Sequence, residues 1–265
     1  MSTRVNTPAF TAPPVASVWN GLATFTWYSF WKVLSNPFSI GFAILMPIFM
    51  YLMFAVGRDY SDIMVGNANV SAIILVNMAT YGMILTTSSL AATVALERTS
   101  GVSRLYALTP ISGATLLIAR LVASMAVTAV VIAITYTVGY FTGSKMEWHA
   151  WIGTMVMIVV LSILPAALGF AAAYLVRSDA AFGVTSAFTV VSAFGAGIFI
   201  PLEQMGEFFK MLAPNTPFYG LSQLTITPVY GWSELKGDWV GNYLIWTVIF
   251  VLLAIWGQRR DTGRQ

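Results

Sequence analysis

Six stretches of the chain are apolar for long enough to cross a bilayer, and short polar segments separate them. They run over residues 37–56, 71–96, 114–141, 150–176, 180–200 and 240–256. A hydrocarbon core about 30 Å thick takes roughly 20 apolar residues of helix, so the pattern predicts six transmembrane helices. An even number of spans puts both termini on one side. Ahead of the first span, Trp19, Leu22, Trp27, Phe30, Trp31 and Leu34 recur near helical spacing, with Asn20, Thr24 and Lys32 between them. That spacing predicts an amphipathic helix over 15–35 lying at headgroup level, where an indole buries its ring and keeps its N–H wet. Asn36-Pro37 then breaks the helix and turns the chain into the bilayer. The longest connection, between the fifth and sixth spans, is not hydrophilic. Its apolar pieces are broken by Pro201, Pro214, Pro217 and Pro228 and are too short to cross, so they read as re-entrant or interfacial helices on the outer side. The fold class is therefore an all-α integral membrane protein. Residues 15–257 form one transmembrane domain, 1–14 are expected to be a disordered tail, and 258–265 a basic tail.

Composition agrees with the pattern. Residues are 58% hydrophobic and 9% charged, with a mean hydropathy of +0.78, whereas soluble domains carry about 25% charged residues. With no Cys, disulfides, thiolate metal sites and cysteine nucleophiles are excluded. The predicted topology places nine Lys and Arg residues and three acids on the side of the termini, against four and seven on the other. Excess positive charge marks the cytoplasmic face. Both termini are thus cytoplasmic, in a multi-pass protein of a bacterial-type plasma (inner) membrane. The sequence pI of about 9.2 reflects this sidedness and does not point to nucleic acid.

Several chemistries are missing. Ionisable residues at membrane depth usually mark ion or proton paths, and the span cores hold essentially none; Arg120 lies near an inner end, within snorkelling reach of water. The single His, His149, sits between Trp148 and Trp151 at the outer interface. A proton- or sodium-coupled carrier is disfavoured on this ground, and a membrane hydrolase lacks a base or metal site. The Ser and Thr residues of the second and third spans serve hydrogen bonds within and between helices. Gly183, Ala187, Val191 and Gly195 place small side chains on one stripe of the fifth span, which suits close packing either within the chain or between subunits. No Gly-x-x-x-x-Gly-Lys-Ser/Thr loop is present, so the chain binds no nucleotide by that route. It is not expected to be an enzyme or to hold a cofactor or metal. If it pumps, the energy comes from another polypeptide.

The second and third spans are joined by Glu97-Arg-Thr-Ser-Gly-Val-Ser-Arg-Leu-Tyr-Ala-Leu-Thr-Pro-Ile-Ser112, which is too polar for lipid. From Gly101 it can form one or two helical turns, with Val102, Leu105 and Tyr106 on one side and Ser103 and Arg104 opposite. Such a helix can be a surface turn or a docking knob for a soluble partner.

The run Glu97-Arg-x-x-Gly-Val-x-x-Leu-x-x-Leu-Thr-Pro-Ile-Ser resembles the cytoplasmic signature of type 2 ATP-binding-cassette (ABC) exporter permeases. A second match, Gly197-x-x-x-Pro201-Leu202 followed by Phe208-Phe209 and Pro214-Asn215-Thr216-Pro217-Phe218-Tyr219, is similar to that family's outward end of the fifth span and its following helices. Ser103-Arg104 departs from the family, which often carries an extra acid there. The resemblance implies a half-transporter: two permease copies, or this chain and a paralogue, above two nucleotide-binding ATPase subunits that hold ATP and Mg. On that basis Glu97, Arg98, Gly101, Arg104, Leu105, Leu108 and Pro110 are expected to couple to the ATPase. Phe194, Phe199, Pro201, Pro214, Pro217, Phe218 and Tyr219 are candidates for the translocation path or outer gate. The expected function is export of an amphipathic or lipid-like compound. A non-transporting scaffold or immunity protein, or a secondary carrier, is the alternative.

Overall fold

The computed structural model describes residues 19, 21–102, 111, 113–176 and 178–262. The tail expected over 1–14 lies outside them. Ten α-helices follow one another along the described residues: α1 (Leu22–Leu34), α2 (Pro37–Ala55), α3 (Val70–Thr99), α4 (Gly113–Phe141), α5 (Trp148–Leu161), α6 (Ile163–Leu175), α7 (Ser178–Gly195), α8 (Glu207–Leu212), α9 (Tyr219–Tyr230) and α10 (Gly237–Thr262). Four segments are long and apolar enough to cross a membrane: α3, α4, α5 with α6, and α10. The protein is a multi-pass membrane protein. The first and fifth expected spans are represented by shorter apolar helices, Ile40–Ala55 and Ala180–Gly195.

Three differences from the sequence expectation have local causes. The span expected over 180–200 stops at Gly195 because Gly197 takes φ +76°, where a side chain would be strained. The Ile198 amide then donates to the Ala193 carbonyl and the Gly197 amide to Phe194, a glycine-terminated helix end. The span over 150–176 is two helices meeting at Ser162. Pro165 has no N–H to give the Leu161 carbonyl, so the ladder is interrupted one turn ahead of it. The basic tail is helical as far as Thr262, with Arg259 and Arg260 in the last turn, where cations suit the helix dipole.

The helices assemble around α3, which touches α2, α4, α5, α6, α7 and α9. Its apolar window is 72% buried inside the chain, against 22% for α10. Small and hydroxyl residues make this possible, because helices in lipid gain from close approach and side-chain hydrogen bonds rather than from apolar burial alone. Thr87 bonds Thr128 of α4 at 3.1 Å, Ser88 bonds Thr189 of α7 at 3.4 Å, and Thr80 donates to Thr225 of α9 at 3.2 Å. A Cβ on Gly169 of α6 would overlap the Ser88 carbonyl.

At the end of the bundle away from Glu97, a hairpin (β1, Met64–Val65; β2, Ala68–Asn69) leads into α3. Asn69 is fully buried. Its Oδ1 accepts from the Ala72 and Lys145 amides, and its Nδ2 donates to the Gly143 carbonyl. This one side chain caps α3 and fastens the α4–α5 loop to it. Nearby, the buried Tyr51 hydroxyl lies 2.9 Å from those of Thr142 and Ser144, joining α2 to the same loop. On α7, by contrast, Gly183, Ala187 and Val191 are exposed, so those three do not pack within the chain.

The α3–α6 approach is testable by volume. Gly169→Ala is expected to lower the thermal unfolding midpoint of the detergent-solubilised protein by the equivalent of about 1–3 kcal/mol. Gly241→Ala, where an added methyl meets nothing, should leave the midpoint unchanged or raise it. Equal midpoints for the two variants would discount the close approach.

Candidate functional site

The last turn of α3 carries an acid and a base side by side, and they reach in different directions. Glu97 sits where helix carbonyls already concentrate negative charge, so its carboxylate needs cations. It has two. Lys32 Nζ of α1 donates to Oε1 at 3.0 Å, and Arg120 of α4 pairs with Oε2. The Glu97 and Arg120 side chains are each 15% exposed and Lys32 is 53% exposed, so the shared carboxylate is largely shielded and one cation faces outward. The Arg120 guanidinium also stacks over the Phe25 ring of α1, 5.7 Å from its centroid.

Arg98 turns to α6. Its guanidinium donates to the Ala173 carbonyl, in the last turn of that helix, where carbonyls run out of intrahelical donors. It lies 5.3 Å from the Tyr174 ring centroid. Two adjacent residues thus attach the end of α3 to α1, α4 and α6. Gly101, just past the end of α3, takes φ +76° with open space around it.

α1 lies along both ends of the connection that follows. Near its C-terminal end Lys32 holds Glu97. At its start, a Cβ on Gly21 would lie 3.2 Å from Cδ1 of Ile111, so Ile111 rests against that turn. Lys32 lies eleven positions after Gly21, about 17 Å of helix. Leu22, Phe25, Ser29 and Val33 face the bundle at helical spacing, while Trp27, Tyr28 and Trp31 are exposed, as suits a helix at a membrane interface. Arg104, Leu105, Leu108 and Pro110 lie outside the described residues.

At the opposite end, the aromatic candidates divide. Phe199 stacks against Phe194 and against Tyr81 of α3, at 4.5 and 4.6 Å between centroids. Phe218 is fully buried in the core and Pro217 is buried, so both pack the interior. Tyr219 is half-buried, and Pro201 and Pro214 are exposed. α9 is buried between α5, α10 and α3 and, at 12 residues, spans about 18 Å, short of a bilayer. Sequence reasoning missed Asn242 of α10, whose Nδ2 donates to the Pro214 and Thr216 carbonyls while its Oδ1 accepts from the Gly220 amide. An amide in an otherwise apolar helix was the available signal. Among the described residues, no group of three or more His, Cys, Asp or Glu side chains comes together as a metal site would require.

A family model described as an ABC-2 family transporter protein matches residues 59–257, a stretch that includes Glu97, Arg98 and all seven outer candidates. No curated protein matches the chain.

Removing the shared carboxylate should loosen α1. In Glu97→Ala, two cations lose their acceptor, at a cost of about 1–3 kcal/mol locally. Hydrogen–deuterium exchange over 22–34 is expected to accelerate by roughly tenfold or more, with exchange over 163–175 little changed. Unchanged exchange in α1 would show that the ion pairs do not hold it.

Proposed function

The chain belongs to the ABC-2 family of transporter proteins, and from that premise we propose that it is the permease subunit of an ATP-driven exporter in a bacterial-type inner membrane. In this reading all six apolar segments span the bilayer, with α2 and α7 as the short ones. α1 lies at the cytoplasmic interface, and α8 and α9 form the re-entrant outer region. The cationic end carrying Glu97, Arg98 and Arg120 faces the cytoplasm, as the distribution of Lys and Arg favours. Energy comes from a separate nucleotide-binding subunit that holds ATP and Mg. A second copy or a paralogue completes the path, and the exposed small-residue stripe of α7 suits that contact. The cargo is an amphipathic or lipid-like compound.

The observation that carries this reading is the attachment of the α3 terminus. A soluble ATPase can drive a membrane path only by moving something that the path cannot ignore. Residues 97–112 join the most buried of the four long apolar segments to α4 at a point tied to α1 and α6. Displacement of this segment is therefore delivered to four helices at once. Leu105 and Leu108 are the apolar positions that would seat in the ATPase.

Co-expression with the nucleotide-binding subunit tests the proposal. Leu105→Asp with Leu108→Asp is expected to lower permease-dependent ATP hydrolysis and transport by at least about tenfold, a loss near 1.4 kcal/mol or more. Membrane insertion and the thermal midpoint should be retained. Normal transport in that double variant would sink the assignment, as would an ATPase whose hydrolysis is indifferent to the permease.

A further inference from the structure

α9 is fastened at both ends, and the two fastenings differ. At its start, Asn242 of α10 bonds the Gly220 amide and the Pro214 and Thr216 carbonyls, and a Cβ on Gly220 would overlap the Trp239 carbonyl. At its far end the partner is the turn of the β1–β2 hairpin. The Asn67 amide donates to the Val229 carbonyl at 2.9 Å, in the last turn of α9, where helix carbonyls run out of donors of their own. Gly66, the first residue of that turn, takes φ +59°, and a Cβ there would lie 2.8 Å from the same carbonyl oxygen. Beside the turn, Ala68 and Ala72 are buried with Ile226 and Val229 in one apolar cluster.

The hairpin is anchored on its other side. Ala68 is bridged to Met146. The Glu147 amide donates to the Asn67 carbonyl at 3.0 Å and the Asn69 amide to the Lys145 carbonyl at 2.9 Å. The last turn of α9 is less well supported from within its own helix. Pro228 sits inside α9 and has no N–H for the Leu224 carbonyl, so the ladder is interrupted just ahead of the hairpin contact. Pro228 also rests on Gly153 of α5, where a Cβ would lie 2.8 Å from it, which gives a pivot at this residue a fixed seat. The end of α9 is thus a short flap, hinged at a proline and held by an anchored turn.

We propose that the hairpin is a strap that keeps this flap closed, and that outward opening parts Gly66 and Asn67 from Val229 while the start of α9 stays with α10. The strap stands on the contacts alone; its part in opening rests on the exporter reading above. Parting the strap gives up one backbone hydrogen bond and a small apolar contact. Parting the other end would strip the Asn242 amide of three hydrogen bonds, so the flap is the end that yields.

Two glycines separate strain from contact. Gly57 takes φ +71° with nothing within 4 Å of an added Cβ, so Gly57→Ala carries the left-handed penalty alone, and Gly66→Ala adds the overlap with α9. In the full chain in neutral detergent, hydrogen–deuterium exchange over 229–231 is expected to run at least about fivefold faster in Gly66→Ala than in Gly57→Ala, with 219–222 alike in both. Equal exchange over 229–231 would overturn the strap. A reversible lock tests its part in opening. The chain has no cysteine, so Gly66→Cys with Tyr230→Cys supplies a single pair, and a Cβ at position 66 lies 3.4 Å from Tyr230 Cα, within disulfide reach. Joined by mild oxidation, the pair is expected to slow hydrolysis by the co-expressed nucleotide-binding subunit at least about fivefold, and reduction should restore it. Failure of the pair to join, or unchanged hydrolysis in the joined chain while the permease still stimulates the ATPase, would overturn the proposal. An ATPase indifferent to the permease with or without the pair sinks the exporter reading instead, and the exchange comparison then decides the strap by itself.

Discussion

In a hydrocarbon solvent, apolar side chains gain little by leaving lipid for one another, so this fold depends on how closely its helices can approach α3. Glycine and hydroxyl residues decide that. Gly169 brings α6 against the Ser88 carbonyl, and Gly82 of α3 admits Pro47 of α2. The hydroxyls that replace larger side chains are not left wanting. Ser88 donates to the Ile84 carbonyl at 2.7 Å and Thr80 to the Val76 carbonyl at 2.7 Å, while both also reach neighbouring helices. No buried side-chain N or O among the described residues lacks a partner. A helix held on so many sides moves as part of the bundle.

That property gives the end of α3 its significance. Glu97 opposes the dipole of its own helix and Arg98 accords with it, so the pair is stable only with outside help for the acid. The help comes from α1 and α4, which carry Lys32 and Arg120 to one carboxylate from positions 65 residues before it and 23 after it. The electrostatic requirement of one residue thereby fixes α1 to the bundle. Exposed ion pairs contribute little, but a carboxylate shielded to 15% exposure loses more if its partners leave. Of the two cations, Lys32 is the more exposed, at 53% against 15% for Arg120.

Much of this was legible in the sequence, and the limits follow from range. Apolar run length is a local property, and it placed the four long apolar segments within a few residues. α1 was legible from Trp19, Trp27 and Trp31, although it is Leu22, Phe25 and Val33, not the tryptophans, that face the bundle. The early stop of α7 was hidden because Gly197 reads as one more small residue in an apolar run until its φ is known. The hairpin at 64–69 was missed because two-residue strands carry no alternation to detect. Glu97 stood out by its place in a recognisable run, but no local pattern pairs it with Lys32. Asn69 and Asn242 are single amides whose partners lie in loops far along the chain. Phe218 entered as a path or gate candidate through the family-like run at 214–219, and nothing in that run signals that its side chain is fully buried in the core.

The scarcity of charge within the apolar segments goes with where the structure puts the charges that remain. An ionised side chain at the middle of a bilayer costs roughly 2.5–3.5 kcal/mol on insertion scales, so a chain of this composition has reason to gather its charges at the ends of its helices. Lys32, Glu97 and Arg120 meet at one such end, where both cations pair with the same carboxylate.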